Sequence, residues 1–110
     1  MALDMIDIGQ AIYETSKRIE KGVNELHRYA KAYAEAEREY RLALAKEIVR
    51  LKDEKMQATL IPDVARGNVA ELKYKRDLAE VSYKTARDML EALQAELSGL
   101  QSLYKNQGEV

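Results

Sequence analysis

Two long seams of mostly apolar residues at alternating steps of four and three, parted by the chain's single proline, restrict this sequence to one kind of fold. Ile12, Ser16, Ile19, Val23, Leu26, Ala30, Tyr33, Glu37, Tyr40, Leu44, Ile48 and Leu51 form the first, with one local shift at Leu44 to Ile48. Ala65, Val69, Leu72, Arg76, Ala79, Tyr83, Ala86, Leu90, Leu93, Leu97, Leu100 and Tyr104 form the second without a shift. That spacing lines each set along one face of an α-helix at the repeat of a coiled-coil seam. No segment alternates with the period of two that a half-buried strand needs, so the spacing predicts an all-α chain. Ala, Leu, Glu, Lys and Arg dominate the composition, which favours helix throughout.

Between the seams runs Gln57-Ala58-Thr59-Leu60-Ile61-Pro62-Asp63. Proline disfavours helix at the residue before it and suits the first turn of a new one, where its missing N–H is no loss. The expected organisation is one helical-hairpin domain over residues 1–110: helix 1 at about 10–55, a turn at about 56–61 and helix 2 at about 62–105. Gly9 is the expected break before helix 1, leaving residues 1–8 loose or separately packed. Gly67, inside helix 2, reads as close packing beside the turn, with a backbone approach to a ligand as the alternative.

A hairpin of two such helices encloses no core of its own. Leu42, Val49, Leu78, Val81, Met89 and Leu103 add apolar positions beside the seams. The expected assembly is therefore a homo-oligomer, first a dimeric four-helix bundle and second a higher oligomer.

Chemistry is sparse. The chain has no cysteine and one histidine, His27, which lacks a Glu-x-x-His partner spacing. No thiolate nucleophile, disulfide framework or Cys-ligated zinc can form, and a di-metal carboxylate bundle has no ligand set. Without a phosphate-binding glycine loop or a nucleophile elbow, the expectation is a protein that is not an enzyme and uses neither cofactor nor metal. Asp4 and Asp7 stand where a signal peptide needs a basic region, and no apolar stretch nears the ~18–20 residues of a membrane span. A cytoplasmic protein without a membrane partner is expected.

The informative departures from the seams are charged. Glu37 and Arg76 occupy positions that both patterns reserve for apolar residues. An antiparallel hairpin turning near residues 58–59 brings together residues whose numbers sum to about 117, which puts Glu37 and Arg76 within a helical turn of each other, in one chain or across subunits. Tyr33, Tyr40, Tyr74 and Tyr83 fall in the same section. One reading is a polar layer that sets register and oligomeric state. The other is an inter-helix ligand site built from Tyr33, Glu37, Tyr40, Arg66, Tyr74, Arg76 and Tyr83, with rings stacking on a planar ligand and arginine meeting phosphate or carboxylate. Residues 38–76 carry ten basic and six acidic side chains, a local charge of +4 against −5 for the rest. This basic turn end makes nucleic acid an alternative partner.

The run Leu60-Ile61-Pro62-Asp63-Val64-Ala65-Arg66-Gly67-Asn68-Val69-Ala70, continued by Glu71-Leu72-Lys73-Tyr74-Lys75-Arg76-Asp77, resembles small helical-hairpin proteins encoded by phages and prophages of Gram-positive bacteria. The resemblance implies stoichiometric binding in the cytoplasm of a bacterial host: an anti-defence inhibitor or sponge that takes a host defence protein or a signalling nucleotide. A nucleic-acid-binding accessory of phage recombination or replication, or a structural coiled-coil module, is the alternative. It implies no catalytic residue.

Overall fold

The computed structural model describes residues 4–108. Among these the chain is all-α and holds no strand: α1 (Met5–Asp53), α2 (Ile61–Asn68) and α3 (Ala70–Gly108). Two compact units result, one of residues 4–28 with 84–108 and one of Tyr29–Tyr83.

Helix α1 starts earlier than its sequence pattern indicates. Asp4 caps it, its Oδ1 accepting the Asp7 N–H at 2.8 Å while its carbonyl accepts the Ile8 N–H at 3.1 Å. Asp7 adds a negative charge to the first turn, where the helix dipole favours one. Ile8 is then almost fully buried. Gly9 is not a break: an N-cap and a buried isoleucine offset the ~1 kcal/mol that glycine costs inside a helix. Residues 1–3 of the segment expected to be loose lie outside the described residues.

In the unit 4–28 with 84–108, α1 and α3 run antiparallel. Arg18 reaches Glu96 at 3.7 Å, and a Cβ placed on Gly22 would stand 3.3 Å from Leu90 Cδ1. Thr15 and Leu90 are buried, whereas Val23 is 50% exposed. The seam here passes through Thr15 and Gly22 rather than the expected Ser16 and Val23. Glycine at 22 leaves room for the Leu90 side chain against the α1 backbone, and Val23 is turned aside.

In the unit Tyr29–Tyr83 the chain reverses. Helix α1 ends with the Lys55 N–H on the Lys52 carbonyl at 2.9 Å and the Met56 N–H on the Leu51 carbonyl at 3.1 Å. Lys55 sits at φ 60°, so this is a Schellman motif whose left-handed position is held by lysine instead of glycine. Met56 follows and packs toward Leu51. Helix α2 opens with Pro62 in its first turn, and Ile61 and Ala65, one turn apart, close on Leu51 with Leu44, Ile48 and Val64 around them. This apolar plug ties the turn down.

The expected single second helix is two. It is interrupted at Val69 (φ −112°, ψ 18°), although the Val69 N–H still meets the Ala65 carbonyl at 3.2 Å, and α3 continues to Gly108. Gly67 and Asn68 just before are weak helix formers, and Asn68 donates its side-chain amide to Glu47 Oε1 at 3.0 Å on α1. A Cβ at Gly67 would meet nothing within 4 Å, so close packing does not explain that glycine.

The six added apolar positions, Leu42, Val49, Leu78, Val81, Met89 and Leu103, are each 46–61% exposed. Leu42 shows why: it lies midway between the seam residues Tyr40 and Leu44, and so projects from the far side of α1. These residues do not widen the seam as expected. They form separate outward faces.

Truncating Leu51, which is 2% exposed, to alanine should cost about 2–5 kcal/mol by leaving a cavity in the turn plug. Lys55→Gly should instead add about 1 kcal/mol, because the left-handed conformation disfavours any residue with a Cβ. Urea denaturation followed by circular dichroism measures both, and a stabilised Leu51→Ala would contradict the packing.

Candidate functional site

The central layer of the unit Tyr29–Tyr83 is built from two matching triplets. Helix α1 supplies Tyr33, Glu37 and Tyr40, and α3 supplies Arg76, Glu80 and Tyr83, each at steps of four and three and therefore each on one helix face. Because the helices run antiparallel, the triplets meet in reverse order. Tyr83 stacks against Tyr33 with centroids 6.0 Å apart and planes inclined by 30°. The Tyr33 hydroxyl donates to Glu80 Oε2 at 3.2 Å, and Arg76 Nη1 donates to Glu37 Oε2 at 2.8 Å. The Arg76 guanidinium also stands 5.3 Å from the centre of the Tyr40 ring, within cation–π range. The expected Glu37–Arg76 meeting thus occurs within one chain.

These charges are compensated. Glu37 receives Arg41 as well as Arg76, and its carboxyl is held below its ordinary pKa, first by the Arg41 hydrogen bond and then by Arg76 against the opposing effect of burial. Arg76 Nε is buried 2.9 Å from Asp77 Oδ1, close enough for an ion pair, but its N–H is not directed along that line. Burial raises the Tyr33 pKa, and the Glu80 carboxylate raises it further.

Beside the layer lies an open recess of about 450 Å³ lined by Ala30, Tyr33, Ala34, Glu37 and Tyr83. Two alanines give it depth, two tyrosine rings give it flat walls, and its only charged wall is a carboxylate. A phosphate entering it would meet Glu37 and an arginine already committed to Glu37 and Asp77. The recess suits a flat neutral or cationic group better than an anion.

Not every sequence-selected residue joins this layer. Tyr33, Glu37, Tyr40, Arg76 and Tyr83 are brought together. Tyr74 is not: it is 61% exposed, because it stands two residues from each of the seam positions Leu72 and Arg76. Arg66 stays on α2, paired one turn back with Asp63 at 3.2 Å. Glu80 completes the layer and was missed because a glutamate beside Ala79 reads as an ordinary solvated position. Its signal was the spacing Arg76, Glu80, Tyr83, which mirrors Tyr33, Glu37, Tyr40.

Most cations of the basic turn end are paired with carboxylates. Six of its ten cations meet a carboxylate: Arg41 with Glu37, Arg50 with Glu47 and Glu54, Arg66 with Asp63, Lys73 with Asp77, Lys75 with Glu39, and Arg76 with Glu37. Arg38, Lys46, Lys52 and Lys55 are the cations outside these pairs. Among the described residues no group of three or more His, Asp or Glu side chains could hold a metal ion, and no helix is long and apolar enough to cross a membrane. Comparison with known proteins gives no match to a family model, a curated protein or a solved structure.

Glu37 and Arg76 should be energetically coupled. Glu37→Leu and Arg76→Leu should each destabilise more than the double leucine variant, and additive effects in the cycle would show that the pair contributes no mutual stabilisation.

Acid should act on the same contacts. Glu37, Glu47 and Asp77 all titrate below their ordinary values of 4.5, 4.5 and 3.8, held there chiefly by hydrogen bonds from Arg41, Arg50 and Lys73 respectively. A carboxylate with a lowered folded-state pKa contributes stability above its ordinary value and loses it as pH falls through the lowered one. Thermal midpoints should hold steady from neutral pH and decline once pH drops below 4.5, more shallowly in Glu37→Gln. A midpoint that rises on acidification would contradict these contacts.

Proposed function

We propose that this chain works without catalysis, as a stoichiometric binding protein whose target is another protein. The setting that the resemblance to phage-encoded hairpin proteins implies is inhibition of a host defence protein in the bacterial cytoplasm. The observation that carries this reading is the pair of outward apolar faces in the unit Tyr29–Tyr83. Leu42 and Val49 on α1, and Tyr74, Leu78 and Val81 on α3, are 50–61% exposed. Apolar groups at helical spacing on a solvent face favour a packed helix or protein surface as occupant.

The two other classes of ligand have less support. A nucleotide would need a free cation at the tyrosine recess, and Arg76 is committed to carboxylates. Nucleic acid would need a basic stripe, and most cations of the turn end are paired.

The test is protection of a phage in cells that carry the targeted defence. Leu78→Glu and Val81→Glu, checked for retained helix content, should abolish protection, whereas Tyr83→Ala should preserve it. The opposite ranking, with saturable binding of a signalling nucleotide lost in Tyr83→Ala, would replace this reading by a nucleotide sponge. Tight, steeply salt-dependent binding of single-stranded DNA would replace it by a nucleic-acid accessory.

A further inference from the structure

The two outward faces differ in charge and fit each other. On α1, Arg38, Leu42, Ala45, Val49 and Lys52 follow one another at steps of four and three, all exposed. On α3, Glu71, Tyr74, Leu78 and Val81 do the same at steps of three, four and three. One stripe is apolar with a cation at each end, and the other is apolar with an acid at its start. Arg38 and Lys52 are outside the ion pairs of the turn end, as is Glu71.

Set antiparallel, four of the five α1 positions match the four of the α3 stripe, and only Arg38 has no counterpart in it. Leu42 falls opposite Val81, small Ala45 opposite larger Leu78, Val49 opposite Tyr74, and Lys52 opposite Glu71. Every one of these pairs has residue numbers that sum to 123, so a single register satisfies them all. Within the chain, by contrast, Glu37 with Arg76 and Tyr33 with Glu80 sum to 113 and Glu47 with Asn68 to 115. The two stripes cannot meet in one molecule, because each lies away from the seam that joins α1 to α3. At about 100° per residue, the α1 stripe stands roughly 135° around from its seam and the α3 stripe roughly 160° from its own, turned to opposite sides.

We propose that the α1 stripe of one copy docks on the α3 stripe of the next, in a head-to-tail contact between identical chains. This rests on reading the outward faces as protein-binding: a second copy fills them along the assembly, and the face left unfilled at an end stays open to the target protein. A contact between two different patches leaves one of each unfilled at the ends, so assembly continues to a ring or an open array instead of stopping at a two-fold dimer.

The chain contains no cysteine, which allows a clean test with the full-length protein. Ala45→Cys and Leu78→Cys copies, mixed and oxidised, should give a disulfide-linked heterodimer, while either variant alone gives little dimer. Analytical ultracentrifugation of the unmodified chain should show mass rising with concentration beyond a dimer. Lys52→Glu or Glu71→Lys should lower that mass severalfold, and the combined exchange should restore it. A monomer at all concentrations, or Ala45→Cys linking efficiently to itself, overturns the head-to-tail contact. A monomer that still protects phage overturns self-assembly and leaves the inhibitor reading standing, whereas an assembly without protection overturns the inhibitor reading alone.

Discussion

The contact between Glu37 and Arg76 decides how α1 meets the returning helix. Apolar side chains of similar size can slip past one another by a turn and still bury much the same area, so an apolar seam specifies register weakly. An ion pair in the seam resists slipping: a shift of one turn would part Glu37 from Arg76, whose side chains are only 25% and 19% exposed, and break their cross-helix bond. Tyr40 under the guanidinium and Arg41 on the carboxylate further fix which atoms face which. Tyr33 with Glu80, one turn away, and Lys75 with Glu39, about half a turn away, hold the same register.

The turn makes that register reachable. Pro62 starts α2 only after the chain has left α1 through its Schellman motif, and Leu51, Ile61 and Ala65 then close a plug whose three members are at most 5% exposed. The left-handed lysine and the bend at Val69 are both local departures from ideal helix geometry, tolerated because packing and the Asn68 to Glu47 bond hold the chain on either side. A shorter or straighter connection would carry Arg76 to a different level of α1.

Much of this was readable in the sequence, and the failures have physical causes. The seam period revealed the helices, the lone proline revealed the turn, and charge in two apolar positions revealed the layer. Hydropathy could not see that Gly22 is a seam residue, since glycine there matters for the room it gives Leu90 and not for its own transfer energy. Nor did it separate Tyr74 from the other tyrosines, because aromatic identity says nothing of which side of a helix a residue occupies. Position two steps from each neighbouring seam residue does. Gly9 misled for the converse reason: its local cost is small beside an aspartate cap and the burial of Ile8. Glu80, solvated by hydropathy, was legible only in the spacing Arg76, Glu80, Tyr83 set against its mirror Tyr33, Glu37, Tyr40.

The distribution of charge bears on recognition as well as on folding. With a formal net charge of −1 and most turn-end cations paired along or across the helices, the chain carries little net charge with which to draw in a partner. Steering by charge, which speeds the encounter of oppositely charged partners, is therefore weak, and affinity has to come from short-range apolar fit. That places a demand on shape: helices held in fixed register present Leu42, Ala45 and Val49 on one side and Tyr74, Leu78 and Val81 on the other at constant spacing, already ordered before any partner arrives. A flexible hairpin carrying the same side chains would lose part of its binding energy in ordering them. The polar layer and the outward faces are in this sense one device, since the ion pair that fixes α1 against α3 also fixes the spacing of the surfaces they turn outward.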